Sequence, residues 1–79
     1  MTTQDIQSLR AELHEVEGEL HRLAAVTERI EQDRAAGSGD PAALESELGH
    51  AAADRRRYES RAGELRRQIG ELERTLQGS

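Results

Sequence analysis

Three histidines, His14, His21 and His50, and an excess of carboxylates over guanidinium groups are the side chains of this 79-residue sequence with chemistry to offer. Imidazoles bind metals or move protons near neutral pH, and paired carboxylates act as acid and base, provided that something holds them together away from water. His14 and His21 stand seven residues apart, which on a helix separates them by about 10.5 Å along the axis. That is too far to share one ion. The sequence contains neither a cysteine nor an H-E-x-x-H pattern, so no metal site and no cofactor are expected.

The basic residues concentrate in Arg55-Arg56-Arg57, followed by Arg61, Arg66 and Arg67. Such a cluster can grip phosphates. Here Asp54, Glu59 and Glu64 interleave with it and no aromatic is free to stack a base, so the pattern reads first as a solvated, ion-paired surface. Nucleic-acid binding through Arg56 and Arg57 is the alternative.

The elements that must carry these groups are long helices. About a third of the residues are apolar and another third charged, with one aromatic, Tyr58, and few β-branched residues. This composition belongs to extended helices and leaves too little apolar volume for a large globular core. From Ile6, apolar residues recur at Leu9, Leu13, Val16, Leu20 and Leu23, then Thr27 and Ile30, in alternating steps of three and four. With Ile6 at position a of a heptad, these are the a and d sites of a coiled-coil seam. Thr2 or Thr3 can cap the start, and Gly37 supplies a left-handed end. Asp40 followed by Pro41 opens a second helix, whose seam runs Leu44, Leu48, Ala51, Arg55, Tyr58, Ala62, Leu65, Ile69, Leu72 and Leu76.

The sequence therefore predicts a single all-α domain, an antiparallel two-helix coiled-coil hairpin with helix 1 over about 3–36, a turn at 37–40 and helix 2 over about 41–77. Short connections favour antiparallel neighbours. Matching the seams pairs Ile6 with Leu72, Leu13 with Leu65, Val16 with Ala62, Leu20 with Tyr58 and Leu23 with Arg55. Arg55, at an a site, is expected to specify register or to reach past Leu23 to Glu19. A domain-swapped dimer with the heptads running through the turn is the alternative, opposed by Gly37, Gly39 and Pro41.

The e positions suggest what covers the hairpin. In this register Arg10 faces Arg66, Glu17 faces Glu59, Ala24 lies near Ala52 and Glu31 faces Glu45. Like charges within the hairpin would be relieved in a homodimer, where Arg10 and Arg66 of one copy meet Glu31 and Glu45 of the other in an antiparallel four-helix bundle. The expected partner is thus a second copy together with a further protein, and the expected function a non-enzymatic scaffold, adaptor or regulatory interaction module. The formal charge of −5 gives no general attraction to phosphate or anionic lipid. No window is apolar enough to span a bilayer, and a cytoplasmic location is expected.

The residues around the turn, Glu28, Glu31, Asp33, Asp40, Glu45 and Glu47, make an acidic tip. Together with the opening Thr2-x-Gln4-Asp5-Ile6-x-x-Leu9-Arg10-x-Glu12-Leu13, and with Gly39-Asp40 at the tip, this resembles the N-terminal hairpin of Gre-type transcription factors. The resemblance covers the helical arms, and Pro41 and Leu44 stand where that family has Leu and Glu. It implies binding in the secondary channel of RNA polymerase with Asp40 at the contact. The Arg cluster on a dimeric hairpin is similar in plan to Rop-type proteins, which implies a nucleic-acid partner.

Overall fold

The computed structural model describes residues 3–78 as two helices, α1 (Thr3–Ala35) and α2 (Pro41–Gln77), folded back on one another into a closed hairpin. Thr2, one of the two expected caps of α1, lies outside the described residues. The Cα extents are 60 × 14 × 14 Å and the radius of gyration is 17.7 Å, against about 12 Å for a compact domain of this length. The molecule is a rod. Two straight helices side by side would be wider in one transverse direction than the other; equal transverse extents are what winding about a common axis produces, as a seven-residue repeat requires.

Local chemistry explains the turn. The Ser38 N–H donates to the Asp33 carbonyl at 2.8 Å and the Gly37 N–H to that of Arg34 at 3.2 Å. These two bonds form a Schellman end, and Gly37 sits at φ 72° to make it. Gly39 is also left-handed, at φ 81°. Asp40 is extended and its carboxylate accepts the Ala42 N–H at 3.3 Å, with Pro41 filling the first helical position. The far end of α2 closes differently: the Gly78 N–H reaches the Arg74 carbonyl at 2.9 Å, with Gly78 itself in a right-handed conformation.

The seam packs as the heptads predict. Ile6, Val16, Leu23, Ile30, Ala51, Ala62, Leu65 and Ile69 are buried, every one an a or d residue. The tightest part gathers Val16, Ala62 and Leu65, with Leu9, Leu13, Leu20 and Tyr58 half-buried around it. Leu65 alone among the large side chains described here is fully enclosed. Two helices can shield only one line of residues between them, and the flanks of the others stay wet.

Candidate functional site

The two sides of the seam are the surfaces on which function can be built, one lined by the e positions and the other by the g positions of both helices. On the e side the facings differ from those the register suggests. Arg10 pairs with Glu73 at 3.3 Å, not opposing Arg66, and Arg66 pairs with Glu17 at 3.2 Å, which does not oppose Glu59. Each partner lies one heptad further along α2 than expected. These guanidinium groups are exposed and on long stems, so each can reach past the residue directly across from it. Long side chains then turn to the opposite charge.

The same correction extends along the e side. Glu59 accepts from Arg55 at 3.1 Å and Glu45 lies 3.5 Å from Arg34. Arg55 therefore runs outward along its own helix and does not reach Glu19, which is held by Arg22 at 2.8 Å. Ala24, Ala52 and Glu31 are exposed, and Glu31 has no ion pair among the described residues. Every other charged e residue has an opposite partner, which offsets the like-charge conflict expected inside the hairpin.

On the g side Arg61 spans the seam to Glu12, with Nη2 at 2.7 Å and Nε at 3.1 Å from the same carboxylate oxygen, and Nη1 reaches Glu64 at 3.1 Å. Hydrogen bonds to Glu12 and Glu64 raise its pKa above the ordinary guanidinium value, so it stays charged at any working pH. The bond to Glu19 raises Arg22 in the same way. Arg57 is tied to Asp54 on its own helix.

From this clasp toward the turn, no ion pair among the described residues bridges the g side, and open grooves follow one another. One is floored by Val16 and Tyr58 beneath Glu15 and Glu19; the next by Leu23, Val26, Ile30 and Ala51 between Arg22 and Glu47. Nearer the chain ends, Leu9 and Leu72 floor a further groove. On the e side a groove lies at Leu20 and Ala24. Val26 is thus the residue that heptad reasoning passed over, whereas the heptads place Tyr58 at a d position. Val26 carries a readable signal, an aliphatic residue at g, off the seam, 37% exposed beside Leu23 and Ile30 at 4% and 6%.

Of the remaining candidates, Asp40 uses its carboxylate to cap α2, and Arg56 is exposed without an ion pair among the described residues. His14, His21 and His50 are all exposed. Among the described residues no group of three or more histidines and carboxylates is placed to hold a metal. Among the described residues no helix is long and apolar enough to cross a membrane. Compared with family models, curated proteins and solved structures, the chain matches none.

Proposed function

We infer that this chain is a non-enzymatic oligomerisation and protein-interaction module, a hairpin that completes its packing against a second copy in an antiparallel four-helix arrangement. The observation that carries this reading is the amount of surface. The hairpin exposes 5894 Å² at 8.8 kDa, where a compact monomer of that mass exposes about 4,800 Å². The excess is comparable to the share of about 800 Å² that each partner gives to a standard interface. Acid–base chemistry needs a pocket that excludes water, and open grooves do not supply one.

The e side suits the second copy. Ala24 and Ala52 are short and exposed, next to half-buried Leu20 and Leu48, so backbones can approach. Its charges are already matched within the hairpin apart from Glu31, which Arg10 or Arg66 of the second copy can meet about a two-fold axis near Leu20. Self-association then brings little repulsion.

Light scattering on the purified chain tests this reading. The expected mass is twice that of one hairpin, reduced to a single hairpin by Ala24→Arg with Ala52→Arg while helicity by circular dichroism is retained. A wild-type mass of one hairpin, or a mass indifferent to both substitutions, overturns it. A wild-type chain that elutes with nucleic acid in a salt-dependent complex lost on Arg56→Glu with Arg57→Glu would replace it with the nucleic-acid reading.

A further inference from the structure

The g side differs from the e side in having a longer apolar floor and more charges that remain unmatched. Val16, Tyr58, Leu23, Val26, Ile30 and Ala51 floor it without interruption by a cross-helix ion pair. Over this stretch Glu19 and Arg22 neutralise one another, as do Asp54 and Arg57. The rim charges without an ion pair among the described residues are Glu15, Asp33 and Glu47, against Arg29 alone. From Val16 to Ile30 the floor runs along about 20 Å of helix axis, the length of about four helical turns. The small Ala51 lines the same groove as Val26, which stands exposed.

We propose that this g-side groove receives an amphipathic helix of another protein, with an apolar stripe flanked by Lys or Arg, laid along the seam as a third strand of the coiled coil. The proposal rests on the interaction-module reading and names the partner's chemistry. Charge selects the occupant. A second copy would set the same acidic rim against itself, whereas cationic flanks over Glu15, Asp33 and Glu47 gain from the contact. The e side remains for the second copy, so one hairpin can dimerise on one flank and hold a partner on the other. Val26 is the apolar contact most open to the partner. Tyr58, the sole tyrosine of a chain without tryptophan, forms part of the same floor and reports on it by its own fluorescence.

The test uses a synthetic 21-residue amphipathic peptide with leucine at a and d, lysine at e and g, and no aromatic residue, labelled with fluorescein for anisotropy; an unlabelled copy is followed through Tyr58 emission. Expected are saturable binding to the full chain that alters Tyr58 emission, and a loss of affinity of about tenfold between low salt and 0.5 M salt. Val26→Arg, at a site not needed for the hairpin core, should weaken binding by about tenfold or more, and Glu15→Arg with Glu47→Arg should weaken it comparably. Glu28→Arg, on the opposite side, should change binding by less than about twofold. Equal binding of a glutamate-flanked peptide, equal weakening by Glu28→Arg, or no binding of the lysine peptide overturns the proposal. So does a fall in the mass of the chain alone with Val26→Arg, which would give this groove to a second copy. Dimerisation is read on the chain alone, so a failed peptide titration and a failed dimer remain separate results.

Discussion

Arg61 on α2 holds Glu12 on α1 by two nitrogens on one carboxylate oxygen, at 2.7 and 3.1 Å, and so ties the two helices together beside the best-packed layers of the seam. Both side chains keep roughly two-fifths of their surface in water, at 41% and 43%, and an ion pair in that setting exchanges one set of strong contacts for another. A double-mutant cycle with Arg61→Met and Glu12→Gln, followed by thermal melts, should therefore give a coupling several times smaller than the loss caused by truncating Leu65. The clasp fixes alignment more than it adds stability.

Leu65 is the reference for that comparison. It is fully enclosed, so Leu65→Ala removes buried methyl groups and leaves a void between two helices that cannot close it from a third side. The expected cost is about 2–5 kcal/mol in urea denaturation, enough to unfold much of a domain this thin. Leu76, 45% exposed, should cost less than Leu65, about 1 kcal/mol when changed to Ala, since nearly half of its surface meets water in both states.

The glycines separate into two groups with opposite responses. Gly37 and Gly39 have φ values of 72° and 81°, where a Cβ is strained, so alanine there should destabilise by about 1 kcal/mol each. Gly49, Gly63 and Gly70 lie within α2, and a Cβ on any of them would have nothing within 4 Å. Alanine at each should stabilise the hairpin by about 0.5–1 kcal/mol. A loss of stability at these helical sites in the isolated chain would show a close neighbour that a lone hairpin lacks.

Arg10 discriminates between the two possible facings. If it opposed Arg66, Arg10→Glu would relieve repulsion and raise the melting temperature. Paired with Glu73 at 3.3 Å, Arg10→Glu should lower it, and adding Glu73→Arg should restore it. Thermal melts at low salt, where exposed charges act most strongly, measure both.

The helices and the turn were legible because their signals are local: Asp40-Pro41 starts a helix, Gly37 ends one, and the heptads choose the faces that meet. The observed helix ends fall within a residue of the expected ones. The flanking charges were not legible from the same register. Reaching one heptad further along α2 leaves the seam unchanged but converts Arg10 opposite Arg66 into Arg10 with Glu73, and the reach of a long side chain toward opposite charge decides between them. Arg55 was misread for a related reason: an a position points a long side chain only as far as its Cβ, and Glu59 four residues on captures the guanidinium. The g-side groove depends on how far Tyr58 and Val26 stand clear of their neighbours, which no periodicity records.

Because the caps at Gly37 and Asp40 close the turn without help from the arms, and because the seam repeats every seven residues, the length of this rod is a free parameter of its architecture. Removing one heptad from each arm at matched positions would shorten it by about 10 Å and keep the turn, the handedness of winding and the sidedness of the flanks. Removing a heptad from one arm alone would slide every facing past the turn. The hairpin is a gauge whose span can be reset in units, and its two flanks would travel with it in phase.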